Sequence, residues 1–426
     1  MIVIAEPEKT KTIECDVLVM GAGPAGSVAA LYSSKHGLNT VLIERNNKIG
    51  AHTNTRIDSS PDFGLTEIVN EMDLKTENLV YKSKWHSPSG NSFTLHSKIG
   101  EYYFKRGPAP DSFEYSTVYN SMKYGCEFIS DAKLKSVNKD KMHINEVIVS
   151  QRSNEIMIKP KIIIDATGEN SPFHRFLHIP KRDYRKGVIF GITGKEFVSS
   201  DTSEIYFDAE LLKGGYFYMV TAKNGFSSAA VVLDSSKMRK PAEKYFYEYM
   251  RRNTEVAEKI KSVDGSFYGG ANLLKLPEHL YQNVLFAGDA AGLIDPLMGY
   301  GMLPAIASGY YAAKYSVEAL EKGDYEALKK YEWTVRNRFN KRMSYVFRRI
   351  FESLDNKDLD MLIKMANELG DRTDVDDLMN HLSIPGLFHA LSVFFENLPR
   401  SGRLLAKGFK GILSSKNYKL PAYIID

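Results

Sequence analysis

The chain has 426 residues, 43% hydrophobic and 25% charged, with a formal net charge of +4. That length gives two or three domains and ample core, and the charge is too small for the size to argue nucleic-acid binding. No run of eighteen apolar residues occurs and residues 1–12 show no basic leader or cleavage site, so neither a transmembrane helix nor a signal peptide is expected.

In chain order, residues 17–20 form an uninterrupted apolar run, as in a parallel strand buried on both faces. Gly21-Ala22-Gly23-Pro24-Ala25-Gly26 follows, fits G-x-G-x-x-G, and leads into helical sequence over 27–36 that stops at Gly37. In this pattern the first glycine turns tightly, the second lets backbone approach a pyrophosphate, and the third lets helix pack on strand. The helix start offers unpaired N–H groups and a positive dipole end. Residues 40–43 read as a second apolar strand ending at Glu44, an acid suited to ribose hydroxyls. Strand, glycine turn, helix and acid in this order mark a dinucleotide site.

Residues 45–60 read as a long polar loop over the cofactor and 65–72 as a short helix. A hairpin is expected over 80–95 about Pro88-Ser89-Gly90-Asn91, then a brief strand at 102–106 and a helix over 111–124. Paired strands at 126–137 and 145–159 precede an apolar strand, 161–165, which ends in the turn Ala166-Thr167-Gly168. Strands at 188–191, 204–207, 216–221 and 227–233 predict an antiparallel sheet, followed by a helix over 242–261. A last apolar strand, 284–287, runs into Gly288-Asp289, and 302–320 reads as a helix rich in small residues. Everything after residue 325 reads as helical, and its arginine-rich stretch, 336–349, reads as a solvated face. Cys15 and Cys126 make no metal or redox motif, so reduced thiols in a cytoplasmic protein and no metal site are expected.

The far end of the site favours one cofactor. Asp289 can hydrogen-bond a ribityl or ribose hydroxyl, while Gly299 and Gly301 let backbone approach a flat ring. The helix starting near Met302 accepts Pro304 in its first turn and presents a positive end suited to an anionic reduced isoalloxazine. A dinucleotide cradle at one end and this helix at the other fit FAD better than NAD.

At these residues the chain resembles the two-domain flavoproteins of the p-hydroxybenzoate hydroxylase fold, and within them the geranylgeranyl reductase family, including the archaeal digeranylgeranylglycerophospholipid reductases. The resemblance implies an α/β fold: an FAD-binding Rossmann-like (glutathione reductase-type) domain, an inserted antiparallel β-sheet substrate domain and a helical C-terminus. The expected division is 12–78, 98–180 and 268–323 for FAD, 79–97 and 181–267 for substrate, and 324–426 for the helical region. It also implies bound FAD, hydride delivery from reduced flavin to an isoprenoid alkene, and protonation of the adjacent carbon. By matching position Gly26, Glu44 and Arg45 belong at the adenosine end, with Thr167 and Gly168 near it. Arg106, Ala132, Asp289, Gly301 and Met302 are implied to contact FAD. The family's cysteine near the flavin is replaced by Thr55, and its Tyr-x-Trp-x-Phe-Pro segment by 216–221, which keeps only the first aromatic.

Tyr216 and Tyr218 share one face of their strand and are candidates for holding substrate or donating the proton, or else core aromatics. His52, in the loop assigned to the flavin, is a further proton-donor candidate or a plain surface histidine. No second nucleotide fingerprint is present, so the electron donor is expected to be ferredoxin or a briefly visiting NAD(P)H. Residues 404–413 are basic and apolar, reading either as an interfacial helix for peripheral membrane contact or as a helix packed on the body. The alternatives are an FAD-dependent monooxygenase of the same fold, a flavoprotein carrying electrons to quinone, and a non-catalytic relative. An iron–sulfur cluster held by four cysteines, usual in the quinone reductases, cannot be built from two.

Overall fold

The computed structural model describes residues 11–141, 143–180, 182–276, 278–339 and 342–369. The apolar runs near residues 20, 43 and 165 become the centre of one sheet because all their side chains can be buried at once. Its order is Leu280–Tyr281, Val284–Phe286, Asn154–Asp165, Lys11–Met20, Thr40–Ile43 and Glu127–Ile129. The last five of these strands pair in parallel, and Val17, Leu18, Ile163, Val41 and Leu42 are fully buried in it. Ala132–Lys139 and Ile144–Gln151 add an antiparallel meander onto Asn154–Asp165.

A second eight-stranded sheet runs Gly265–Lys275, Arg182–Lys195, Phe226–Asp234, Tyr216–Thr221, Thr202–Tyr206, Asn78–His86, Ser92–Arg106 and Arg56–Pro61. All its pairs are antiparallel except that between Thr202–Tyr206 and Asn78–His86. Its period-2 pattern separates two faces. Phe190, Phe217, Met219 and Val231 pack under the Ala242–Arg252 helix, with Phe217 stacked on Tyr249 at 4.7 Å. Ile189, Val232, Tyr216, Tyr218, Ile205 and Trp85 line up on the other face through their cross-strand pairs.

Several expected boundaries shift for visible reasons. The expected loop 45–60 ends in the Arg56–Pro61 strand, whose polar side chains are satisfied inside the protein. The brief strand at 102–106 is the end of one 15-residue strand, Ser92–Arg106. The Gly265–Lys275 strand escapes the sequence reading because Gly269 and Gly270 weaken its pattern. The helix expected over 242–261 breaks at Asn253, whose side-chain amide donates to the Tyr249 carbonyl (2.9 Å) in competition with the backbone ladder. Both cysteines are free and buried, and burial pushes their thiols up, Cys15 to about 12 and Cys126 to about 11. The segment 404–413 lies outside the described residues.

Candidate active site

The Pro24–Lys35 helix starts at Gly23, with Pro24 where no N–H is needed and no side chain capping the first turn. Its early N–H groups are therefore left for a ligand. A Cβ on Gly21 would stand 2.4 Å from the Ala166 carbonyl oxygen, and one on Gly26 1.8 Å from that of Gly21. A Cβ on Gly23 would meet nothing within 4 Å. Two glycines thus close protein against protein, while the middle one faces open space. Glu44 Oε2 accepts from the Ala22 N–H (2.9 Å) and Oε1 from the Asn46 backbone (2.9 Å), which aims the carboxylate along the glycine turn. Asp165, fully buried, accepts from the Thr167 N–H (3.0 Å) and from the hydroxyls of Thr167 and Ser171. Burial raises its carboxyl against those bonds, and the turn Ala166-Thr167-Gly168 is organised around it.

The Met302–Lys322 helix likewise begins at a glycine, Gly301, with no side-chain cap. Its Leu303 N–H donates to Ser60 Oγ (2.9 Å), tying the helix start to the second sheet. Gly288 is braced by Ser308 Oγ, which accepts its N–H at 2.8 Å.

These features face one cavity of about 770 Å³, walled by both sheets. On its wall stand Gly21, Gly23, Pro24, Ala25, Glu44, Arg45, His52, Arg106, Ala132, Thr167, Gly168, Tyr216, Tyr218, Gly288, Asp289, Gly299, Gly301 and Met302. Three candidates are off the wall: Ala22, whose N–H holds Glu44; Gly26, which packs helix on turn; and Thr55, whose backbone lies against Gly107. Thr53 lines the cavity instead. Arg348, from the stretch expected to be a solvated face, also lines it, paired with Glu352 (2.7 Å) and only 11% exposed at the side chain. Glu101 is on the wall too, and sequence gave no signal for it, since a lone glutamate in a polar–apolar strand reads as a surface residue.

A charged network underlies the cavity floor. Arg106 Nη1 donates to Asp58 (2.7 Å), its Nε to fully buried Glu114, and its Nη2 to His52 Nε2 (3.0 Å), while Arg56 Nε donates to Asp58 at 2.6 Å. Burial alone would raise Asp58, but the Arg56 and Arg106 guanidiniums outweigh it and hold the carboxyl at about 2. A guanidinium only donates, so His52 Nε2 accepts and Nδ1 carries the proton. Burial first, then Arg106, lowers His52 to about 4. The proton-donor reading of His52 therefore loses support: at pH 7 the ring is neutral.

His52 also makes an acid-side prediction. Its folded pKa lies below the unfolded value, so protonation favours the unfolded chain as pH falls from about 6.5 towards 4. Stability should drop across that window. Denaturant titrations at stepped pH should show this slope in the wild type and its loss in His52→Asn.

Tyr216 donates to the Met298 carbonyl (2.6 Å), whereas the Tyr218 hydroxyl has no hydrogen-bond partner among the described residues. Burial raises both phenols well above their ordinary range, so each keeps its proton.

The comparisons with known proteins follow the same lines. A model described as "FAD dependent oxidoreductase" matches residues 16–171, and one described as "FAD binding domain" matches residues 117–344, more than half of the chain. The chain belongs to the FAD binding domain family. This flavoprotein is an FAD-dependent oxidoreductase. It is 26% identical over 376 residues to the digeranylgeranylglycerophospholipid reductase of Thermoplasma volcanium, covering 83% of this chain and 91% of that one. To the reductase of the same name from Methanocaldococcus jannaschii it is 29% identical over 377 residues, covering 85% and 92%. A crystal structure of a geranylgeranyl bacteriochlorophyll reductase-like protein from Thermoplasma acidophilum superposes with a TM-score of 0.75 at 22% identity, covering 91% of the flavoprotein and 100% of that chain. The expected FAD-binding Rossmann-like fold, and the resemblance read from the motifs, are both borne out.

The cradle fits the cofactor on its own geometry. An open Gly23 at an uncapped helix start suits a pyrophosphate, and the positive end of the second helix, at Gly301, suits a ring that gains negative charge. Among the described residues no helix is long and apolar enough to cross a membrane, and no cluster of side chains could hold a metal ion.

Proposed function

We propose that the flavoprotein reduces C=C bonds of an isoprenoid lipid of the geranylgeranyl type. The observation that carries this reading is the continuity of the cavity: the nucleotide cradle opens into a chamber walled by Val80, Trp85, Ile189, Ile205, Tyr218 and Val232. The names of the similar reductases supply the substrate class.

In this reading the pyrophosphate lies at the Gly21–Ala25 turn, ribose at Glu44, the adenosine end by Arg45, Ala132, Thr167 and Gly168, and the flavin ring against Gly299, Gly301 and Met302. Gly288 and Asp289 serve the ribityl chain. The first sheet carries the cofactor and the second the substrate, with strands 56–61, 98–106 and 265–275 joining the substrate side. When bound, reduced FAD supplies the hydride. The protein's part is to orient the alkene on the apolar face, exclude water behind Tyr216 and Tyr218, and favour the anionic ring through the Gly301 helix start. We also propose that it works in the cytoplasm, peripherally at the membrane surface, taking electrons from ferredoxin or NAD(P)H; two free, buried cysteines suit a reducing compartment.

The test is anaerobic. Flavin reduced with dithionite should be reoxidised on adding a geranylgeranyl lipid, with product gaining two hydrogens per double bond by mass spectrometry. Reoxidation by oxygen alone, with the lipid unchanged, would turn the reading towards a monooxygenase.

A further inference from the structure

The Ser92–Arg106 strand is not regular. Its pairing with Asn78–His86 shifts between Val80 and Lys82, which oppose Glu101 and His96, so residues 97–100 bulge out of the ladder. Ser97 Oγ accepts the N–H groups of Ile99 and Gly100 (both 3.2 Å), and Gly100 takes a φ of +83°. Bulges of this kind re-aim the next side chain. Here the next residue is Glu101, which emerges on the cavity wall beside Ser59, Pro61 and Val80.

The surroundings of that carboxyl are polar but uncharged. The hydroxyls of Ser59 and Ser203 are its polar neighbours, and no cation pairs with it among the described residues. Ser203 is buried and donates its own hydroxyl proton to Ser83 Oγ (2.9 Å). The ionisable groups that sense Glu101 are the phenols of Tyr103, Tyr216, Tyr218 and Tyr300, all raised chiefly by burial and therefore neutral. Burial raises Glu101 as well, against the two serine hydroxyls. Tyr216, one of these phenols, donates to the Met298 carbonyl, and Tyr300 lies between Gly299 and Gly301. The carboxyl therefore lines the same cavity wall as the loop leading into the helix start assigned to the flavin ring.

We propose that Glu101 is the acid that delivers the proton in the reduction of the alkene. This rests on the reductase reading above. The π bond breaks, one carbon takes the hydride supplied by reduced FAD, and the other takes the carboxyl proton of Glu101. Oxidised FAD and the Glu101 carboxylate remain, and the carboxylate regains its proton from water before the next turnover. Tyr216 and Tyr218 then serve to shape the chamber, since their phenols hold their protons too tightly for the task.

The experiment compares the full-length holoenzyme with Glu101→Gln, which keeps the shape and the serine contacts but has no acid proton. Dithionite reduction and FAD content should be unchanged, whereas reoxidation of reduced flavin by geranylgeranyl lipid should slow by about 100-fold or more. In the wild type that rate should be high at low pH and fall as pH rises through the Glu101 pKa; in the variant the limb should vanish. Infrared difference spectra across a pH titration, which need neither lipid nor turnover, should show in the wild type a protonated-carboxyl band that persists to higher pH than an ordinary glutamate and that Glu101→Gln lacks. Reoxidation of the variant at the wild-type rate would overturn the assignment while leaving the reductase reading intact. A wild type that the lipid does not reoxidise would overturn both, whatever the infrared band. If Glu101→Gln does not fold, Glu101→Asp retains an acid one methylene shorter, and a rate without any pH limb in that variant would equally refute the role.

Discussion

Gly26→Ala should yield a protein that purifies without flavin and unfolds earlier than the wild type. The added methyl would lie 1.8 Å from the Gly21 carbonyl oxygen, a contact that only movement of the Pro24–Lys35 helix can relieve. Overpacking of this kind costs about 1–3 kcal/mol and occasionally more, and here the obstacle is backbone with no rotamer to yield. Gly23→Ala is the informative partner, since its methyl meets no protein atom within 4 Å. It should fold with wild-type stability yet lose FAD affinity, because the methyl occupies the space on the cavity side. Thermal unfolding of the flavin-stripped proteins, together with FAD titration, separates the two. A Gly26→Ala protein that purifies yellow with an unchanged Tm would contradict the packing account.

The second large effect is expected at Arg106. Arg106→Met removes the cation shared by Asp58 and Glu114 and leaves Glu114 buried with neither oxygen satisfied, since its Oε2 already has no partner. Stranding a buried carboxylate in this way costs about 3–5 kcal/mol. Denaturant unfolding should register that loss, and a second change, Glu114→Gln, should recover part of it by removing the stranded charge. Equal stability of Arg106→Met and the wild type would mean that water reaches Glu114. The same variant frees the His52 ring from its guanidinium neighbour, so the His52 titration should move upward, readable by NMR.

How far the sequence could be read depends on the range of the interaction concerned. The 17–20 strand, the glycine turn and the pair Tyr216 and Tyr218 were legible because their signals are local: apolar continuity, fixed spacing, period two. The Arg56–Pro61 strand was not. Its arginine, aspartate and serines look like loop until Arg106 and Leu303, at least 48 residues away in sequence, engage Asp58 and Ser60, and Ser228 takes the Ile57 N–H. Arg348 and Glu101 were illegible for the same reason, since burial of a charged residue is decided by distant elements. Thr55 shows the converse error: a position carried over by spacing, which the turn at 51–54 leaves facing Gly107 while Thr53 takes the wall.

The close contact of Gly309 with Ala25, where a Cβ would stand 2.1 Å from the Ala25 carbonyl oxygen, sets a fixed length inside the protein. Gly309 lies seven residues beyond Met302, roughly 10 Å down its helix at the usual rise. The first turn of one helix is thereby clamped at that interval from the start of the other, backbone against backbone. A cofactor gripped at both points can change its charge at the ring without loosening its hold at the phosphates. Electrons could then be loaded and spent many times on one tightly kept molecule, with only the reactants coming and going.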